Sequence, residues 1–411
     1  MSKKNNGRII TGLDIGTTKI ATIVGRVDED GVDILGVVDY PSYGVKNGMI
    51  INMDTTVSSI KKSIKNAEDI IGDEINSVFV GITGANIVSI NNKGFAEIKN
   101  KEVTQRDIDR ALKSACDITI PKDYEIMSTT IQEFLIDDQT NAQKPIGICG
   151  NKLEIRVHII IGATTHIQNL FKCVNQSNLY VEGMVLQPHA ASLSVLTKDE
   201  KELGVTLVDI GGGTTDIAIF FENSVKHTSI IPIGGNQITK DLAFGIKSPI
   251  EEAERIKIKY GCLPGFSVFE SEEIEVSSVS GDSKLVYPRQ YIYEIIGPRV
   301  EEILLEIKKR ILNSGYAELM TSGVVITGGS ALLGGLDKFA SDILDLPVRI
   351  AYPKNVKSGK ELVNHPKYST GVGLLLNILN QKKEIKTPII ERRSTFGKIA
   401  EHFKKWFEEI F

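Results

Sequence analysis

Apolar residues recur along this chain with two periods, and the two periods sort it into strands and helices. Residues 205–219, VTLVDIGGGTTDIAI, set one apolar run against a glycine-rich turn and a second apolar run, which predicts a β-hairpin. Residues 8–24, RIITGLDIGTTKIATIV, repeat the scheme: strand, Asp-Ile-Gly, two threonines, strand. Shorter runs predict strands over 33–40 and 78–82, while Val57, Ile60, Ile64, Ala67 and Ile71 fall at helical spacing within 55–71. Strand, hairpin and helix in this order fit a mixed sheet flanked by helices. Between residues 84 and 162 the pattern becomes compact. Strands near 87–90, 95–98, 127–135 and 153–161 accompany a helix over 104–118, which Thr104 opens as N-cap and Asp107 as an early acid. That length suffices for a small α+β subdomain with its own core. In the second half, 230–240 leads into a helix and 249–260 forms another, with Pro249 near its first turn and Glu251, Glu252 and Glu254 at the positive end of its dipole. A weak β region over 266–286, a long helix over 291–313 and a buried strand over 324–329 follow.

The glycines bring in chemistry. Gly211, Gly212 and Gly213 give up side-chain packing, which a chain keeps where φ must be positive or another group approaches the backbone closely. A phosphate is such a group. Successive backbone N–H groups can form an anion-binding concavity, the Thr214 and Thr215 hydroxyls can add donors, and Asp209 can hold a divalent metal through water. A glycine-rich hairpin without a ligand is the plain alternative. Asp14 and Asp209 lie 195 positions apart, which marks a duplicated half-domain and not a short-period repeat. Two such hairpins facing each other would grip a triphosphate from both sides.

Composition narrows the class. At 411 residues the chain is long enough for two or more domains. With 41% hydrophobic and 24% charged residues it is an ordinary globular composition, and a net charge of −4 gives no electrostatic case for nucleic acid. No apolar run approaches the roughly 20 residues that span a bilayer. The start, MSKKNNGR, has charge but no apolar segment behind it, so secretion is not expected. Cys116, Cys149, Cys173 and Cys262 form no CxxC pair, which reads as a reduced cytosolic protein. The histidines form no zinc-like cluster, so the metal expected is one that travels with a nucleotide.

Taken together, these motifs resemble the actin, Hsp70 and sugar-kinase superfamily. Residues 12–19 are similar to its first phosphate loop and 209–216 to its second. LQPHAAS at 186–192 resembles the first connection between the halves, Gly328-Gly329-Ser330-Ala331 the adenosine loop, and Gly371-Val372-Gly373 the second connection, all in the superfamily's order. The 84–162 segment, with GITGANI at 81–87, Gln132-Glu133-Phe134, Ile136-Asp137 and HIIIG from His158, closely resembles the FtsA family of bacterial cell-division proteins. HTSIIPIGGNQITKD at 227–241 is among the most specific parts of a resemblance that runs from residue 8 to near residue 380.

The resemblance implies an α/β, actin-like two-lobed ATP-binding fold with a small α+β subdomain inserted in the first lobe and a C-terminal amphipathic helix. The first-lobe core would be 8–83, completed by 164–197 and 366–380, with 84–163 inserted. The second-lobe core would be 198–227, completed by 303–365, with 228–302 as its own subdomain. ATP with Mg²⁺ would sit between the lobes, with slow hydrolysis or binding alone. Asp14 and Asp209 would hold metal-bound water, while Gly16, Thr17, Thr18, Gly211, Gly212, Gly213, Thr214 and Thr215 cradle phosphate and Lys19 neutralises its charge. Gly235, Asn236, Gly328, Gly329 and Ser330 would line the nucleotide, and Glu254 and Lys257 would reach the ribose and adenine. An i,i+3 surface ion pair is the plain alternative for Glu254 and Lys257, as a solvated side chain is for Lys19. Gln187 stands where actin has a glutamine that orients the attacking water, which with Asp209 makes the catalytic pair. A small-molecule kinase of the sugar or acetate type shares both hairpins and is the rival; the inserted subdomain and the amphipathic tail set this chain apart from it.

The resemblance also implies partners. They are a second copy of the chain in a homopolymer, the C-terminal tail of the tubulin-like division protein FtsZ, later division proteins through 84–163, and membrane lipid, but no nucleic acid. Arg299 and Glu302, in GPRVEEI, match the motif that supplies a basic and an acidic contact to the FtsZ tail; a solvated helix face is the alternative. Residues 381–395 are charged and broken by Pro388, which reads as a flexible linker. After Thr395, a credible N-cap, Phe396, Ile399, Ala400, Phe403, Trp406, Phe407, Ile410 and Phe411 follow the spacing of one helical face. This face gathers the chain's only Trp with four phenylalanines, which suits the headgroup boundary of a bilayer, and the family carries its membrane-targeting helix at this place. Docking on the protein's own core or on a partner is the alternative. The expected location is peripheral, on the cytoplasmic side of the cell membrane at the division site.

Overall fold

Two five-stranded sheets of the same topology carry the molecule. The computed structural model describes residues 7–137, 142, 144–263, 272–279 and 284–381. All but Gln381 of the linker expected at 381–395, the amphipathic helix expected at 396–411 and part of the weak β region expected at 266–286 therefore lie outside the described residues. The first sheet runs Tyr180–Leu186, Ser77–Ile82, Arg8–Ile15, Lys19–Val27, Val32–Pro41. The second runs Val348–Ile350, Val324–Thr327, Val205–Ile210, Thr215–Phe221, Ser224–Ile231. In each, the central strand pairs antiparallel with its hairpin partner on one side and parallel with a later strand on the other. The duplication legible in the two Asp-Ile-Gly turns is thus a duplication of whole sheets, and each parallel strand arrives by a crossover, as parallel pairing requires.

These strands are apolar on both faces because both faces are covered. Leu13, Ile20 and Ile23 in the first sheet, and Leu207, Ile217 and Ile219 in the second, are fully buried. On one face of the first sheet lies the helix Met53–Ile71, which starts with the Asn52 side chain accepting from the Thr55 N–H, buries Ile60, Ile64 and Ala67, and stops at Gly72. Both connections expected between the halves are helical. Gln187–Val195 and Ser369–Gln381 pack against each other between the two sheets, where Val372, Leu374 and Leu375 join the core of the first sheet and Ala191 and Val195 that of the second. They come so close that a Cβ on Gly373 would fall 1.8 Å from the Ala190 carbonyl oxygen, and the Ser194 hydroxyl donates to the Ser369 carbonyl at 2.7 Å.

The inserted segment is a three-stranded antiparallel sheet in the order Ile87–Glu97, Lys152–Ala163, Tyr124–Ile136, with the helix Gln105–Ala115 on one face. Asp107 holds the start of that helix by accepting from the Thr104 N–H at 2.8 Å. The two short strands expected at 87–90 and 95–98 are one continuous strand, paired along its length with Lys152–Ala163. Asn91, Asn92 and Lys93 interrupt its apolar pattern: Asn92 Nδ2 donates to Ala115 O at 2.7 Å and Lys93 pairs with Glu154 at 3.5 Å within the subdomain, while the partner of Asn91 lies across the lobe boundary. The second sheet would end on a free edge at Ser224–Ile231, and polar side chains of the inserted sheet cover that edge. Ser89 Oγ donates to Thr228 O at 2.9 Å, Asn91 Nδ2 to Lys226 O at 2.7 Å and Gln132 Nε2 to Val225 O at 2.7 Å. His158 lies between Asn91 Oδ1 and Thr228 Oγ1, and burial pushes its imidazole down to about 4, with the His227 and His189 charges adding to the effect. It is neutral at pH 7. The buried Lys226 ammonium pairs with Glu133 at 2.8 Å.

The second lobe is completed by the helices Gly235–Gly245, Ile250–Tyr260 and Arg289–Asn313 and by a hairpin of Glu273–Ser277 with Lys284–Pro288. The long helix carries Pro298 in its interior and turns Ile292, Ile296, Val300, Ile303, Leu304, Ile307 and Ile311 into the core. Among the described residues no helix is long and apolar enough to cross a membrane.

Candidate functional site

The central strands of the two sheets carry Asp14 and Asp209 one residue before their ends at Ile15 and Ile210, and the turns that follow are built alike. Gly16 N–H donates to Lys19 O, and Gly211 N–H to Thr214 O, each at 2.9 Å. By strand register Thr17 and Thr18 therefore correspond to Gly212 and Gly213, and Lys19 to Thr214. The two threonine pairs seen in the sequence are not equivalent. Thr17 and Thr18 form a loop tip, whereas Thr215 begins a strand and donates its hydroxyl to Ile233 O at 2.8 Å.

The two tips meet. A Cβ on Gly212 would fall 1.8 Å from Thr18 Oγ1, and one on Gly213 2.4 Å from Thr17 Oγ1, so a side chain at either position would hold the lobes apart. A third segment closes on the same place: Gly235 N–H donates to Gly211 O at 2.9 Å, Asn236 N–H to Gly212 O at 2.8 Å, and Thr18 Oγ1 to Asn236 Oδ1 at 3.2 Å. Ser330 Oγ stands 3.5 Å from Gly211 O. Gly328 holds a φ of +92° beside Asp209, whose Oδ1 would lie 2.3 Å from any Cβ there, and Gly329 starts the short turn beyond. Lys257 is buried and reaches this loop, donating to Gly235 O at 3.1 Å and Thr239 Oγ1 at 2.8 Å while pairing with Glu254 at 2.7 Å. The i,i+3 pair exists, yet it is no surface pair, because its lysine also holds the Gly235 turn.

Between the loops lie the acids. Asp14 accepts from Gln187 Nε2 at 2.9 Å and pairs with Lys19 at 3.2 Å. Asp209, partly open to the cleft, accepts from Thr370 Oγ1 at 3.3 Å. Asp216, opposite Asp209 on the paired strand, accepts from Thr83 Oγ1 at 2.5 Å and Thr214 Oγ1 at 3.3 Å. Burial pushes Asp209 up to about 6, with Asp14 adding to it and Lys19 opposing. Burial likewise pushes Asp216 up to about 8, against the Thr83 hydrogen bond and with help from Asp209 and Asp14. Carboxylates crowded in this way favour a nearby cation. Among the described residues no group of three His, Cys, Asp or Glu is placed to ligate an ion. A hydrated divalent cation, held through its water by Asp14 and Asp209, fits this donor set.

Asp216, Thr83 and Thr370 escaped the sequence reading as site residues. Asp216 lay inside the quoted motif, on the strand Thr215–Phe221 directly opposite Asp209 in register, a pairing that the hairpin reading can use. Thr83 and Thr370 carry no local signal. Arg299 and Glu302 lie on the long helix, away from the cleft loops; Arg299 Nε donates to Asp241 at 2.5 Å and its Nη1 to Glu302.

The chain is 39% identical over 417 residues to cell division protein FtsA of Pseudomonas aeruginosa, covering 100% of both. The chain belongs to the FtsA family. The family profile described as cell division protein FtsA matches residues 206–373, and the SHS2 domain inserted in FtsA matches 84–161, the three-stranded subdomain. Two solved structures share the fold. The PilM–PilN type IV pilus biogenesis complex has a TM-score of 0.66 at 15% identity, covering 90% of this chain and 98% of that one. MreB5 of Spiroplasma citri bound to AMPPNP has a TM-score of 0.55 at 16% identity, covering 92% and 97%. The FtsA-family chain thus has an actin-like α/β fold with an SHS2 insertion.

Proposed function

We propose that this chain binds ATP with Mg²⁺ between its lobes, polymerises on the cytoplasmic face of the cell membrane and anchors the FtsZ ring there, helping to recruit later division proteins through 84–163. The observation that carries the nucleotide part is the convergence of two equivalent turns, Gly16–Lys19 and Gly211–Thr214, on Asp14 and Asp209. In this reading Thr17, Thr18, Gly212, Gly213 and Thr214 take phosphate, Lys19 neutralises part of its charge, and Gly235, Asn236, Lys257, Gly328 and Ser330 line the rest of the nucleotide. The bound cation supplies charge neutralisation for the phosphates. In this reading Gln187, whose amide nitrogen donates to Asp14 at 2.9 Å, orients a water through its carbonyl oxygen. Phosphoryl chemistry asks the protein only for such positioning, so slow hydrolysis fits the same residues.

The membrane and partner parts rest on the family and on the charged and amphipathic patterns of the sequence. The deciding experiment is electron microscopy of the purified full chain on liposomes with and without ATP. Filaments on lipid that require ATP support the scaffold; brisk ATP consumption that depends on an added sugar, without filaments, favours the kinase instead. For the FtsZ tail, Arg299→Glu should abolish binding of the tail peptide in fluorescence anisotropy while ATP binding survives. Unchanged tail affinity would take Arg299 out of the site.

A further inference from the structure

One helix touches both places that the proposed function uses. Gly235–Gly245 begins at the second phosphate loop, where the Gly235 and Asn236 N–H groups donate to Gly211 O and Gly212 O at 2.9 and 2.8 Å. Asn236 also accepts from Thr18 of the opposite lobe. Six residues later, roughly 9 Å along the helix axis at about 1.5 Å per residue, Asp241 accepts from Arg299 Nε at 2.5 Å. Little allows the helix to bend between these contacts. Ile238 and Leu242 are buried in the second-lobe core, Thr239 is bonded to Gly235 O and Lys257, and the helix end at Gly245 lies against Ile295 of the long helix. The 227–241 stretch that stands out in the sequence covers the edge strand, the loop and the helix as far as Asp241.

We propose that this helix is a lever coupling phosphate occupancy of the 211–213 loop to the availability of Arg299, with Asp241 as the positioning residue. The inference rests on Arg299 forming part of the site for the FtsZ tail. Arg299 already has two carboxylate partners, Asp241 and Glu302, so an acidic group of a docking peptide must compete with Asp241 or use the remaining guanidinium N–H groups. A phosphate that draws on the 211–213 loop shifts the N-terminal turn of the helix, and with it the carboxylate that competes for Arg299. By linkage, the peptide must change nucleotide affinity by the same factor that the nucleotide changes peptide affinity.

The test measures binding of a labelled synthetic FtsZ C-terminal peptide to the full chain by anisotropy, with and without ATP and Mg²⁺. Wild-type affinities should differ at least about fivefold between the two states, the lower end of ordinary allosteric coupling. Asp241→Asn, which keeps shape and removes charge, should retain nucleotide affinity and thermal stability but bring the two peptide affinities within about twofold. Asp241→Glu should restore part of the difference. Full nucleotide dependence in Asp241→Asn, or none in wild type, overturns the lever. If the wild type binds no peptide in either state, the tail assignment is what fails, and amide exchange over residues 296–303 then decides the lever. Nucleotide-dependent protection that Asp241→Asn removes sustains it; protection indifferent to nucleotide overturns it.

Discussion

Asp216 carries the sharpest consequence at the scale of single residues. Its carboxyl is buried beside Asp209, and burial lifts its pKa from 3.8 to about 8 despite the Thr83 hydrogen bond. Between those two values the folded protein holds a proton that the unfolded chain has released. Stability contributed by this group is therefore complete at the acid end of the window and is lost as pH rises through it. One proton across one pH unit corresponds to about 1.4 kcal/mol, enough to move a melting temperature measurably. The nucleotide-free protein should accordingly lose Tm between about pH 5 and about pH 8, and Asp216→Asn should flatten that slope in a thermal-shift series. Equal slopes in both proteins would deny Asp216 this role. The residues that define the cleft were unevenly legible. Asp14, Asp209 and the glycines announce themselves because a turn needs them locally. Asp216, Thr83 and Thr370 become a group only when three separate parts of the chain meet, and no local pattern records that meeting.

Among the elements, central strands and long helices were legible because their apolar periods are long and both faces or one stripe are buried. The inserted sheet was misread where its pattern was polar. Asn91 falls inside a strand because its side chain caps the edge of the other lobe's sheet, a contact that only tertiary structure supplies. Glu133 belongs to the same contact, and Glu133→Ala would leave the buried Lys226 with only the longer pairing to Glu222 at 3.5 Å. Breaking a buried pair from one side costs up to about 3–5 kcal/mol, and the remaining acid should hold the loss to about 2 kcal/mol. Faster amide exchange over 224–231 would locate that loss at the edge strand. The two connecting helices offer a second test. Gly373 has no room for a Cβ against Ala190, so Gly373→Ala must push the helices apart and should cost about 1–3 kcal/mol in urea unfolding, as overpacking does. A neutral result would mean that the helices can separate without strain.

For the whole molecule, two sheets of one topology enclose the connecting helices and face each other across paired turns, which the 195-residue spacing of Asp14 and Asp209 already implied. The proposed association with a membrane rests on the sequence beyond residue 381, which lies outside the described residues. Phe396, Ile399, Phe403, Trp406, Phe407, Ile410 and Phe411 follow in sequence the spacing of one helical face. The same segment holds three lysines against three glutamates, so attraction to anionic lipid must come mainly from Lys382, Lys383, Lys386, Arg392 and Arg393 in the linker. On a bilayer each large apolar side chain would gain about 1–2 kcal/mol from partial burial, while ordering a helix there would cost about 1 kcal/mol per residue, so one tail would bind weakly. In the proposed filament many such tails would bind with avidity, and assembly would then act as the switch for membrane attachment. Deleting residues 396–411, or Trp406→Glu, should release the protein from liposomes in co-sedimentation while leaving ATP affinity unchanged. Should the truncated chain still sediment with the vesicles, the attachment resides elsewhere in the molecule and the amphipathic face has another partner.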